Sequence, residues 1–201
     1  MKRLFTFFVT ILVAVATIAP VSAQERGEWS IRGGVGWFSL PDFVGALVVG
    51  LGSIDGTEGT TSHDFVPMLN PNVELLYGCN NWLSVGGTLS VGYASATSKF
   101  DDTGAVNKQA WALYPSLGVA AKTRYFQSGK FSMYGSWSLG VIVLMSEQSG
   151  AEITERGVKT AAVVMGNAYP LCFSYGGDTG GFLEAGWGFK GIVNLGVYHN
   201  F

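Results

Sequence analysis

Five charged residues lie within segments whose other residues are mostly apolar, small or hydroxylated: Arg32, Glu74, Lys122, Arg124 and Glu184. On an extended backbone, all five take the side opposite the larger apolar residues. Three cations and two acids enclosed in one interior should pair, because an unpaired buried charge is costly. We predict a structural network of ion pairs and hydrogen bonds that fills this interior. A gated ion path along the same residues is the alternative.

Histidine, the residue most often used for general-base catalysis, occurs only twice, as His63 and His199. Ser62, His63 and Asp64 are adjacent in the sequence, and neighbours on a loop do not converge into the hydrogen-bonded triad that activates a nucleophile. No recognisable esterase or acyltransferase pattern surrounds either histidine. We therefore predict no catalytic residues and no enzymatic activity.

Eight segments alternate apolar side chains with small or polar ones, which is the period of two that defines a β-strand. In the third segment, for example, Leu83 and Val85 alternate with Ser84. In the sixth segment Met165, Tyr169 and Leu171 are predicted to share the outward face. Asn167 interrupts this face, which indicates a bulge or a buried contact. The segments are 29–40, 70–79, 82–98, 109–126, 131–145, 160–175, 182–188 and 192–201.

The connections between these segments alternate in length. The connections 41–68, 99–108 and 146–159 are polar and are predicted to be loops, whereas most of the others are short turns, a pattern typical of outer-membrane barrels. After residue 23 no apolar run reaches the roughly 18 residues of a spanning helix. The predicted fold class is therefore all-β: an eight-stranded antiparallel up-and-down transmembrane β-barrel, closed so that its backbone hydrogen bonds are satisfied in lipid.

A soluble up-and-down barrel is the alternative, but it would have to bury a set of tryptophans and tyrosines on the faces that we predict to point outward. Most of these residues fall near predicted strand ends, as interfacial aromatic belts require. They are Trp37, Tyr77, Tyr93, Trp111, Tyr125, Trp137, Tyr175 and Trp187.

Residues 1–23 have the features of a cleavable secretory signal: the basic pair Lys2-Arg3, an apolar run, and small residues before a cut after Ala23. An uncleaved anchor is the alternative, although the run is short for a span. The barrel domain is then 24–201. Cleavage lowers the basic count from 12 to 10 against 14 acidic residues, for a net charge of −4. Nucleic acid is not an expected partner, because phosphate binding needs clustered Lys and Arg.

The stretch 181–201, GFLEAGWGFKGIVNLGVYHNF, ends in an alternating strand that closes on Phe201. It resembles the last hairpin of small eight-stranded outer-membrane barrels of the OmpX/OmpA-like kind, especially those of Bacteroidetes. The resemblance implies location in the outer membrane of a Gram-negative bacterium, contact with outer-membrane lipid and lipopolysaccharide, and recognition of Phe201 as an assembly signal by the barrel-assembly machinery.

For function, the resemblance implies a structural or surface-interaction role, with an adhesive or host-facing ligand at the long loops. Acidic residues such as Asp42, Asp55 and Asp101 lie in these loops, although loops that merely connect strands are equally expected. The alternatives are a narrow channel and a lipid A-modifying enzyme.

No cofactor or metal is predicted. Cys79 and Cys172 fall on strands that lie opposite each other in a closed eight-strand barrel, too far apart for a disulfide, so free thiols are expected. Their spacing fits no metal site. The run Gly33-Gly34-Val35-Gly36 lies inside a predicted strand without a following helix or basic residue, and so predicts no phosphate-binding loop.

Overall fold

The computed structural model describes residues 27–39, 61–66, 69–100, 106–150 and 158–201. The predicted signal segment with Ala23, and most of the acidic loop 41–68, lie outside the described residues. The described ranges contain no helix that is long and apolar enough to cross a membrane. The strands are β1 (Trp29–Trp37), β2 (Thr61–Val66), β3 (Leu69–Gly78), β4 (Leu83–Phe100), β5 (Val106–Ser128), β6 (Phe131–Gly150), β7 (Lys159–Gly176), β8 (Thr179–Trp187) and β9 (Val193–Asn200).

Strand pairing closes the sheet on itself. From β1 the antiparallel pairs run through β3, β4, β5, β6, β7, β8 and β9, and β9 pairs again with β1. Strands β2 and β3 both pair with β4, β2 beside residues 95–100 and β3 beside 84–90, so they form two parts of one barrel strand. The predicted eight-stranded antiparallel barrel is therefore confirmed.

The polarity of the barrel is the inverse of that of a soluble domain. Strand β3 alternates strictly between exposed and buried residues along its length. Its exposed residues include Leu69, Val73, Leu75 and Tyr77, while Asn70, Asn72, Glu74 and Leu76 are buried. On β5, Leu117 is 68% exposed, yet the charged Lys122 faces the lumen and is only 6% exposed. Apolar residues thus cover the outside of the barrel, and its interior contains most of the buried polar and charged residues together with a smaller number of apolar ones.

Strands β4 to β7 extend further at one end than the sequence pattern predicts. The predicted loops 99–108 and 146–159 are partly strand, since β4 reaches Phe100 and β6 reaches Gly150. Strand β2 lies inside the segment 41–68, which we expected to be a loop throughout. The loop predictions are wrong there because these strand ends are largely polar, so the apolar alternation that marks a strand is missing from them.

Strand β7 changes face near Pro170. Met165 and Tyr169, predicted to face outward with Leu171, belong instead to the lumen, where Tyr169 is fully buried. Beside this point β7 carries one more residue than either β6 or β8. Such a bulge accommodates a proline, which has no N–H to donate to the ladder. Asn167, where the sequence indicated a bulge or a buried contact, is itself buried.

The turn between β8 and β9 folds into the barrel. Phe189 and Lys190 are 1% and 0% exposed, and the turn lies between two glycines with positive φ, Gly188 and Gly191. The chain approaches β1 closely, because a Cβ added at Gly36 would lie 1.5 Å from the backbone carbonyl oxygen of Lys190. The short last connection therefore occupies the lumen at this level.

Replacing Gly36 with alanine is expected to lower the free energy of unfolding by about 1–3 kcal/mol, because an overpacked site must shift its backbone. The substitution Gly33→Ala on the same strand is the control, since a Cβ there meets nothing within 4 Å. Urea unfolding in detergent micelles, followed by tryptophan fluorescence, compares the two. Equal losses for both variants would contradict the close approach of the turn.

Candidate functional site

Four of the five predicted charged residues meet in the lumen. Arg32 of β1 and Glu74 of β3 are paired across the strands, and Arg32 Nε lies 3.7 Å from Glu74 Oε2. Lys122 Nζ of β5 lies 2.9 Å from Glu74 Oε2 and 2.6 Å from Glu184 Oε1 of β8. These residues come from four different strands, so the contacts join opposite sides of the barrel.

Lys190 is the member of this group that the sequence did not reveal. Its Nζ lies 2.6 Å from Glu74 Oε1 and 3.6 Å from Glu184 Oε2. A lysine in a short turn is normally expected at the surface, and the only signal in the sequence was that this connection is shorter than the others on its side. We call Arg32, Glu74, Lys122, Glu184 and Lys190 the lumen cluster. It contains three cations and two acids.

Arg124 lies at the rim of the barrel, near the turn between β5 and β6. Its Nη1 donates hydrogen bonds to the carbonyl oxygen of Asn81, at 3.2 Å, and to Gln127 Oε1, at 2.8 Å. It shares the lumen face with Lys122, as predicted from their spacing, but it stands nearer the end of the strand. The structure thus puts Lys190, and not Arg124, beside the two acids.

Polar and aromatic side chains complete the surroundings of the lumen cluster. Glu184 accepts hydrogen bonds from Asn194 Nδ2, at 2.8 Å, and from the Tyr134 hydroxyl, at 3.1 Å. Arg32 donates to the same Tyr134 hydroxyl and lies 4.2 Å from the centroid of the Phe182 ring. Glu74 contacts three cations, and Glu184 has both charged and neutral partners, so the cost of burying the two acids is offset.

The part of the lumen next to the turn between β8 and β9 is also filled. Phe189 packs with Tyr114 and Ile142 in a buried apolar cluster. Nearer the lumen cluster, Asn72 Nδ2 donates to Asn194 Oδ1 at 2.9 Å. With these side chains in place the interior has the packed character expected of an eight-stranded barrel.

The described residues offer little for catalysis or metal binding. No group of three or more His, Cys, Asp or Glu that could hold a metal occurs among them. Ser62, His63 and Asp64 are consecutive residues of β2. His199 Nδ1 is 2.7 Å from Thr179 Oγ1, an exposed cross-strand pair at the end of the barrel that carries the chain terminus.

Both cysteines are free thiols. Cys172 is buried in the lumen with its Sγ 3.2 Å from the carbonyl oxygen of Tyr169, and Cys79 is partly exposed near the turn between β3 and β4.

Aromatic residues form two belts around the outside. The lower belt lies at the end with the turns that follow β3, β5 and β7 and includes Trp29, Tyr77, Tyr125 and Tyr175. The upper belt lies near the opposite ends of β1 and β8 and includes Trp37 and Trp187. Exposed Leu and Val residues separate the belts, including Leu89, Leu117, Val119 and Leu139. Among the aromatics predicted to face outward, Tyr77, Tyr93, Tyr125, Trp137, Tyr175 and Trp187 are exposed, and Trp37 and Trp111 are partly exposed.

Comparison with known proteins gives structural likeness only. No family model matches the chain, and no curated protein matches it. Among solved structures, Ail, the attachment invasion locus protein of Yersinia pestis, aligns with a TM-score of 0.43 and 13% identity over 88% of this chain and 99% of that one. The same protein in complex with the heparin analogue sucrose octasulfate aligns with a TM-score of 0.43 and 12% identity.

Proposed function

We propose that this chain is a small outer-membrane barrel protein with a side-chain-filled lumen and a surface-interaction role. The observation that carries the proposal is the inverted barrel: an apolar exterior between two aromatic belts, around a charged and polar interior. Water favours the opposite arrangement, whereas hydrocarbon favours this one. Strands β1 and β3, of 9 and 10 residues, have the length of about 9–11 residues that a tilted spanning strand needs.

The orientation follows from the lengths of the connections. In outer-membrane barrels the short turns face the periplasm and the long connections face the outside. The turns after β3, β5 and β7 would then be periplasmic, and the extended ends of β4 to β7 would be external. The exterior would contact outer-membrane lipid and lipopolysaccharide. Phe201, exposed at the end of β9, would be read by the barrel-assembly machinery.

The external strand ends support a role in surface interaction. Strands β1, β8 and β9 stop near the upper aromatic belt, whereas β4, β5 and β6 have 18, 23 and 20 residues and continue beyond it together with β2 and β7. We call these continuations the external wall. A sheet raised above the membrane on one side presents backbone and polar side chains to other molecules, and an adhesive or host-facing partner would bind there.

A narrow channel is the second candidate, since charged residues line the lumen. It is less well supported, because two groups of side chains occupy the path. Ion pairs of 2.6–2.9 Å join Lys122 to both Glu74 and Glu184, and Lys190 to Glu74. The apolar cluster at Phe189 fills a further part of the lumen. Steady, well-defined conductance of the purified monomer in planar bilayers would favour the channel.

We also propose that the protein is not an enzyme, and a mass change in lipid A after incubation with it would contradict this.

Shortening the external wall is expected to abolish adhesion without unfolding the barrel. Ala96 and Ala110 are paired across β4 and β5, so residues 97–109 can be replaced by an Asn-Gly turn. Displayed on a non-adherent Gram-negative strain, the full chain should increase attachment to cultured host cells, and the shortened chain should not.

Gel migration of boiled and unboiled outer-membrane samples is the control, because a closed barrel stays folded in detergent and migrates differently when heated. Both chains should show this shift. Equal attachment by both chains would contradict the role of the external wall, and the absence of the shift in the full chain would contradict the membrane barrel.

A further inference from the structure

A solvent-open pocket occupies the end of the barrel that carries the turns after β3, β5 and β7. It spans about 600 Å³, part of which is open solvent, and is lined by four cations, Arg32, Lys122, Arg124 and Lys130, together with uncharged residues. Neither acid of the lumen cluster is among the lining residues. We call this pocket the basic vestibule. Its position is separate from the external wall, which lies at the other end of the barrel.

The charge around the vestibule is not balanced by the acids behind it. The lumen cluster has three cations for two acids, so Arg32 and Lys122 face the pocket from a group with a net charge of +1. Arg124 and Lys130 add two cations at the rim, where Glu28 acts electrostatically on Arg124. A positive field confined by low-dielectric walls attracts anions.

The donors in the vestibule are also held in place before any ligand arrives. Lys122 Nζ donates to Ser136 Oγ at 3.0 Å and to Glu184, and it lies 2.9 Å from Glu74 Oε2, which fixes its charge at the inner end. Ser132 and Ser174, whose hydroxyl oxygens are 2.6 Å apart, lie on the wall of the pocket. One of these two hydroxyls donates its proton to the other. The accepting hydroxyl therefore keeps its own proton, which it can donate to a ligand. Donors that need no rearrangement bind an anion with less loss of entropy.

We propose that the basic vestibule binds a small oxyanion, of the phosphate or carboxylate class, that enters from the side of the turns. Arg124 and Lys130 make the outer contacts, and the Ser132–Ser174 pair forms the inner end, where Lys122 contributes positive charge. The inference goes beyond the surface-interaction role, and it does not depend on whether the external wall has a partner.

Calorimetric titration of the purified full chain in detergent micelles tests the proposal. The probes are inorganic phosphate and succinate, each at fixed ionic strength with chloride as the replaced ion. The test variant is Arg124→Gln with Lys130→Gln, which leaves the lumen cluster intact. The matched control is Lys108→Gln, which removes a cation from the opposite end of β5. The heat-dependent gel shift shows that each protein is folded.

We expect saturable binding of at least one probe, weakened about tenfold or more in the double variant, because charge-assisted hydrogen bonds are lost, and unchanged in Lys108→Gln. Phosphate binding alone would indicate a free or lipid-borne phosphate, and succinate binding alone would indicate a carboxylate ligand such as a peptide carboxylate. Failure of both probes to bind, or equal affinity in the double variant, would overturn the proposal.

Discussion

Replacing Glu184 with glutamine is expected to lower the free energy of unfolding by about 3–5 kcal/mol, one of the largest effects available in this chain. Glu184 is fully buried, and it contacts Lys122 at 2.6 Å and Arg32 at 3.5 Å. Without its charge, three buried cations would share one acid. Urea unfolding of the protein in lipid vesicles, followed by tryptophan fluorescence, measures the loss.

The matched control is Glu147→Gln. Glu147 accepts a hydrogen bond from Trp111 Nε1 at 3.1 Å, near the external end of β6, and belongs to no buried cluster of cations among the described residues. The loss there should be within about 1 kcal/mol, as for partly exposed polar contacts. Comparable losses for the two substitutions would contradict a special role for the buried charges.

A second substitution separates charge balance from simple loss of a contact. Adding Lys190→Met to Glu184→Gln leaves two cations and one acid, the same excess of one cation as in the original cluster. We expect the double variant to lose less stability than the sum of the two single variants, by about 1 kcal/mol or more, because contacting residues are coupled. Additive losses would indicate that the two residues act independently.

The inner and outer faces of most strands could be predicted from the sequence because the alternation has a period of two and one face is strongly apolar. Knowing the faces was enough to bring Arg32, Glu74, Lys122 and Glu184 together, since a barrel of eight strands leaves room for little else in its lumen. Arg124 was misplaced because the pattern gives the face of a residue but only a rough height along the barrel.

The features that escaped prediction each lack this periodic signal. Lys190 lies in a turn, where alternation does not apply, and its burial depends on the close approach of the turn to Gly36. The extra residue near Pro170 inverts the faces on one side of it, so Met165 and Tyr169 were assigned to the outside. The external wall has few apolar residues, so its strands resembled loops.

Replacing Leu117 with arginine should test the membrane assignment most directly. Leu117 is 68% exposed on β5, within the apolar surface, where it is paired with the exposed Leu89 and Val141 of the neighbouring strands. In a bilayer, arginine at this depth is expected to cost about 2–4 kcal/mol of folding free energy. On a water-soluble barrel, the same change at an exposed site should stay within about 0.5 kcal/mol.

Two further variants make the Leu117→Arg result specific. Leu117→Ala shows how much of the loss comes from removing the leucine side chain, and Ser128→Arg places the same charge at the exposed end of β5, outside the apolar surface. For Leu117→Arg, the free energy of unfolding measured in lipid vesicles should be well below that of both other variants. A water-exposed and a lipid-exposed arginine at residue 117 have different expected costs in folding free energy. Similar stability for Leu117→Arg and Ser128→Arg would therefore mean that hydrocarbon does not surround the barrel.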